Sequence, residues 1–145
     1  MLSNLFTYLK HEQMLLSEMV DLAQRLQKAL VKLDMVNLED ITTYQSALAK
    51  GLREAEEQRI NLLTAWLKIS KAEAASLKLT SLESRLNKDE INEVRTIRKN
   101  LRELVNKLQQ TNTTNRLLAN RGRASVREIL SIFTNGNNVV CNVKI

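Results

Sequence analysis

The chain has no proline, three glycines, one cysteine, one histidine and five aromatic residues. With so few aromatics the interior must be built from Leu, Ile, Val, Met and Ala. Sheets favour β-branched and aromatic residues, whereas this chain is rich in Leu, Ala, Glu, Lys, Arg, Gln and Asn, the composition of long helices. The single cysteine, Cys141, excludes an internal disulfide and fits a reducing compartment. No apolar run approaches the length of a membrane span. The N-terminus has no basic stretch followed by an apolar one, so a cytosolic protein is expected. The sequence also lacks a glycine loop able to cradle phosphate and any His/Cys/Asp spacing suited to a metal. His11 reads as a surface or flank histidine, and Glu54, Glu56 and Glu57 as charges on a solvated face. Neither an enzyme nor a cofactor is expected.

What the chain does contain is three stretches with an apolar seam at 3-4-3-4 spacing. The first runs Leu2, Leu5, Leu9, Glu12, Leu16, Met19, Ala23, Leu26, Leu30, Leu33. The second runs Leu38, Ile41, Gln45, Leu48, Leu52, Ala55, Arg59, Leu62, Trp66, Ile69. The third runs Ile91, Val94, Arg98, Leu101, Val105, Leu108, Asn112, Asn115, Ala119, Gly122, Val126, Ile129, Phe133. The expected fold is all-α: an elongated antiparallel helical hairpin plus a long third helix, a three-helix, coiled-coil-like bundle. Helices are expected over about 2–33, 38–69 and 88–133, forming one domain over 1–133 with a C-terminal tail over 134–145. The seam jumps five residues from Leu33 to Leu38, which places a turn at Asp34–Asn37 with Asn37 as N-cap. The connection 70–87 has room for a short helix, with Leu79, Leu82 and Leu86 at helical spacing. Asn87 and Glu90 read as a capping box.

Lengths then matter. At about 1.5 Å per residue the first two helices are each about 48 Å long and the third about 69 Å. If the connection returns near the end of the second helix, the third runs beside the first and overshoots the turn by about 20 Å. The overhang covers approximately Arg121–Phe133. The opposite arrangement, with the overhang at the other end, stays open.

Few seam positions are polar. A turn between Asp34 and Asn37 sets Glu12 opposite Arg59, the one acid and the one base facing each other across the hairpin. They are expected either to form a register-fixing ion pair or to snorkel to solvent from the seam edge. Asn112 and Asn115 read either as register control or as a hydrogen-bonding site for a docked segment. Trp66 reads as core, closing the open end of the hairpin. The formal charge of +6 gathers late, at Arg95, Arg98, Lys99, Arg102 and Lys107, then Arg116, Arg121, Arg123 and Arg127. No aromatic lies within these clusters to stack on bases, so nucleic acid is not the expected partner.

Three elements carry a resemblance. These are the turn segment Ala29-Leu30-Val31-Lys32-Leu33-Asp34-Met35-Val36-Asn37-Leu38; Glu56-x-x-Arg59 followed by Leu62-Leu63; and Asn112-x-x-Asn115-x-x-Leu118 with a polar, glycine-containing tail after the helix. In this order they resemble the FlgN family of flagellar type III export chaperones. The resemblance implies a chaperone of the bacterial cytoplasm that holds the two hook–filament junction proteins by their C-terminal amphipathic helices and hands them to the membrane export gate. The candidate partner-binding residues are Asn112, Asn115, Leu117, Leu118, Arg121, Val126, Ile129, Leu130 and Phe133. Arg121, Arg123 and Arg127 would form the polar rim. The alternative for these side chains is packing on the first two helices or on a second copy, as in a weak homodimer. The alternative function is a structural coiled-coil or adaptor protein of a larger helical assembly.

Overall fold

The computed structural model describes residues 2–132, with the side chains of Val126 and Ile129 outside that description. It is all-α: α1 (Leu2–Lys32), α2 (Met35–Leu67), α3 (Lys71–Ser76), a 3-10 segment (Leu79–Arg85) and α4 (Lys88–Ser131). No β-strand occurs among the described residues.

The hairpin turn is tighter than its seam spacing suggests. Leu33 takes a left-handed conformation with φ 54°. That single residue reverses the chain, and Asp34 N–H donates back to the carbonyl of Ala29 at 3.0 Å. Asp34 also caps α2, its side chain accepting from the Asn37 N–H at 3.2 Å. The expected turn over Asp34–Asn37 and the cap at Asn37 are therefore corrected: α2 begins at Met35 and its cap is Asp34. At the far end of α2, Lys68 is also left-handed with φ 55°. There Ser70 Oγ accepts from Glu73 N–H at 3.1 Å and starts α3. The capping box is reciprocal: Glu90 N–H donates to Asn87 Oδ1 at 2.8 Å, and Asn87 N–H donates to Glu90 Oε1 at 3.0 Å.

The central element is α1. Both α2 and α4 pack along it, while α3 packs on α2 and the 3-10 segment on α4. Among the described residues α2 and α4 nowhere bring Cα atoms within 8 Å of each other. A helix flanked on two sides needs a wide apolar arc, and α1 buries Phe6, Leu15 and Val20 in addition to its seam.

The densest packing lies away from the hairpin turn. There Leu5, Phe6 and Leu9 of α1 meet Leu63, Ala74, Leu82, Val94 and Ile97, with Trp66, Ile69, Leu79 and Leu86 packed around them. Truncating a leucine in such a site typically costs about 2–5 kcal/mol. The short α3 and 3-10 elements thus cap one end of the molecule; among the described residues no comparable element packs on the other.

Candidate partner-binding end

Three contacts set how α4 lies on α1. Lys10 Nζ meets Glu93 Oε1 at 2.8 Å. Asn115 Nδ2 donates to the Ala23 carbonyl at 2.9 Å. Gly122 lies beside the end of α1, where an added Cβ would meet Leu33 Cδ2 at 3.7 Å. Residue numbers rise together along both helices, so α4 is parallel to α1 and passes the hairpin turn at Gly122. By the helical rise, residues 123–131 project about 13 Å beyond it. Every residue there whose side chain is described is exposed.

The hairpin itself ends in apolar residues. Val31, Leu33, Met35 and Val36 are all exposed, Val36 at 74%. Turns are normally built from Gly, Asn, Asp, Ser or Pro, so four large apolar side chains here lack a local structural reason. Farther along, Leu130 of α4 and Ile132 just after it are exposed, with Arg121, Arg123 and Arg127 exposed as well. The distal end is thus an apolar surface with a basic margin. A groove between α1 and α2 is mixed, with Leu22, Tyr44, Ala47 and Leu48 lining it beside Glu18, Asp21 and Arg25.

Behind this end lie two buried polar contacts. Arg59 Nε donates to both carboxylate oxygens of Glu12, at 3.2 and 3.0 Å, and Glu12 is 6% exposed. Burial pushes the Glu12 carboxyl above the usual range, opposed by the Arg59 charge and hydrogen bond and assisted by the nearby Glu56 carboxylate. Removal from water outweighs the pairing. Asn115 is 5% exposed, and among the described residues its Oδ1 finds no donor. On the surface, Glu83 is held below the ordinary carboxylate range by its hydrogen bond from Arg95.

Over residues 1–142 the sequence matches the family model described as FlgN protein. The chain belongs to the FlgN family. FlgN proteins are flagellar export chaperones, and this FlgN-family chain accordingly binds flagellar proteins. No curated protein and no solved structure gives a significant match. None of the described helices is long and apolar enough to cross a membrane. No cluster of metal-binding side chains occurs among the described residues.

The candidate residues of this FlgN-family chain divide into three groups. Leu117, Arg121, Leu130 and Asn112 are exposed. Asn115 is buried against α1, and Leu118 is half-buried. The side chains of Val126 and Ile129, together with Phe133, lie outside the described residues, as does the tail 134–145. The seam of α4 departs from the expected one in part: Leu101, Leu108, Asn115, Ala119 and Gly122 are buried or half-buried as expected, but Leu104, Thr111 and Leu118 are half-buried as well, whereas Val105 and Asn112 are exposed. Asn112 and Asn115 therefore do not act as a pair. Leu117 and Leu118, about 100° apart on a helix, face different surroundings.

Val31, Met35 and Val36 stand in the turn segment that resembles FlgN, but spacing gives them no partner-binding role and places Leu33 in the seam. The signal was there: apolar residues crowd a turn that contains no glycine or proline.

Proposed function

We propose that this FlgN-family chaperone holds the hook–filament junction proteins in the bacterial cytoplasm before export, and that its distal end receives their C-terminal amphipathic helices. The observation that carries this reading is the exposed apolar end where α4 passes the hairpin turn, with Val31, Leu33, Met35 and Val36 at the turn and Leu130 and Ile132 farther along. Large apolar side chains exposed together at one end of a molecule mark an interaction site. An amphipathic cargo helix laying its apolar face there would be masked, with Arg121, Arg123 and Arg127 as the polar rim.

Leu117, Arg121, Val126, Ile129, Leu130 and Phe133 are the proposed contact residues on α4 and just beyond it. Asn115 holds α4 on α1, Leu118 contributes through the bundle seam, and Asn112 lies on the open face. Ordering a cargo segment on binding reduces net affinity, which suits release at the membrane export gate. Light scattering on the chaperone mixed with a junction protein tests the reading: a one-to-one complex is expected. A stable homo-oligomer that ignores the junction protein would overturn it in favour of a structural coiled-coil role.

A further inference from the structure

We propose that the solvent-facing back of α4 lies on anionic lipid headgroups, so that the chaperone adsorbs to a membrane surface along this one helix. The adsorption does not rest on the cargo reading.

The charge of the chain is concentrated here. α4 carries ten basic and five acidic residues, a net +5 of the formal +6. At alternating spacings of four and three, positions 95, 99, 102, 106, 109, 113, 116, 120, 123 and 127 form one row along the helix, and every one is exposed. Six are basic: Arg95, Lys99, Arg102, Arg116, Arg123 and Arg127. The other four are Asn, Gln, Thr and Asn, so the row holds neither an acid nor an apolar side chain. It is about 48 Å long.

The acids lie off this row. Asp89 and Glu90 stand in the first turn of α4, before it. Glu93 meets Lys10 on α1, which covers the opposite face. By helical spacing Glu103 and Glu128 lie on one flank together with Lys107 and Arg121, and the half-buried Arg98 lies on the other. The 3-10 segment, also packed on α4, brings Arg85 and Glu83. Glu83 accepts from Arg95 at 2.9 and 3.2 Å, so one base is neutralised and five stay available. The acidic start of α2, with Asp34, Glu39 and Asp40, lies across α1 beyond the exposed Lys28 and Lys32, because α2 and α4 nowhere approach.

A row of bases along one side of a long helix fits a flat partner. A bilayer surface is planar and its lipids diffuse, so all five bases reach headgroups together. Duplex phosphates instead wind away from a straight line, and α4 has no aromatic residue to stack on bases. Clusters of roughly four to eight Lys and Arg on one helix face are the recognised form of anionic-lipid binding. With no apolar residue in the row, contact stays at headgroup level and is screened by salt.

Co-sedimentation of the full chain with vesicles of equal parts phosphatidylglycerol and phosphatidylcholine tests this. Binding at physiological salt is expected, with release at high salt and none to pure phosphatidylcholine. Lys99→Gln, Arg102→Gln and Arg116→Gln together should weaken it at least about tenfold. All three are exposed, and circular dichroism checks that the helices persist. Lys50→Gln, Arg53→Gln and Lys71→Gln remove the same charge from exposed sites on α2 and α3 and should leave binding within about twofold. No binding to the anionic vesicles, or equal loss in the two variants, would overturn the proposal. Tighter binding to duplex RNA than to the vesicles at equal phosphate concentration would overturn it in favour of nucleic acid. The substituted residues lie outside the proposed cargo contacts, so vesicle binding and cargo binding can fail separately.

Discussion

Asn115 on α4 donates across 2.9 Å to the main-chain carbonyl of Ala23 on α1, and its own Oδ1 finds no donor among the described residues. The small alanine, fully buried, lets the amide approach the α1 backbone. A buried acceptor without a partner costs about 1–3 kcal/mol. The contact therefore fixes where α4 lies more than it adds stability. Asn115→Asp should destabilise by about 3 kcal/mol or more, because a carboxylate would face a carbonyl out of water. Asn112→Asp, on the exposed face, should change stability by less than about 0.5 kcal/mol. Urea unfolding of the two variants checks the contrast.

The Glu12–Arg59 pair makes a second prediction. Arg59→Leu leaves a buried carboxylate without its partner and should cost about 3–5 kcal/mol, whereas replacing both residues with leucine should be nearly neutral. A double-mutant cycle in urea measures the coupling, and none is expected if the pair plays no part in the hairpin.

The pH dependence has a definite sign. Burial raises the Glu12 carboxyl in the folded chain, so the folded state takes up its proton more readily than the unfolded one. This favourable contribution is fully present below the unfolded carboxylate value and lost as pH rises through the raised folded value. Relative to Glu12→Gln, the wild-type chain should gain stability between pH 7 and pH 4.5, about the unfolded value. Glu83, shifted down by Arg95, behaves oppositely: its contribution is present above the unfolded value and lost as pH falls through the lowered folded one. Urea midpoints of Glu12→Gln and Glu83→Gln across this range separate the two.

Backbone positions give a fourth test. At Gly122 an added Cβ meets Leu33 Cδ2 at an ordinary 3.7 Å, so Gly122→Ala should stabilise by about 0.5–1 kcal/mol. Lys68 is an exposed, left-handed residue after α2, and Lys68→Gly should stabilise by about 1 kcal/mol through relief of its backbone strain. Thermal melts read both changes.

The long helices, the hairpin and the Asn87–Glu90 capping box were legible because seam spacing and cap chemistry are local signals. The parallel run of α4 beside α1 was one of two arrangements left open, and the contacts at Asn115 and Gly122 decide between them. The α4 seam was misjudged at Val105 and Asn112 because spacing alone does not say whether Leu104 or Val105, Thr111 or Asn112, turns inward. The apolar hairpin end was missed for a different reason. Val31, Met35 and Val36 follow no helical period, and the same turn that interrupts the seam exposes them. Only the placement of α4, passing the turn at Gly122, shows that they share one end of the molecule with its projecting residues.

The most direct test of this account is calorimetric titration of a junction protein's C-terminal segment into the wild-type chaperone and into a Val31→Asp, Val36→Asp variant. Both substituted residues are exposed, so the bundle should stay folded, as circular dichroism can check. One-to-one binding to the wild type, weakened by at least about tenfold in the variant, is the predicted result. Equal affinity for the two proteins would contradict the claim that the distal apolar end receives the cargo.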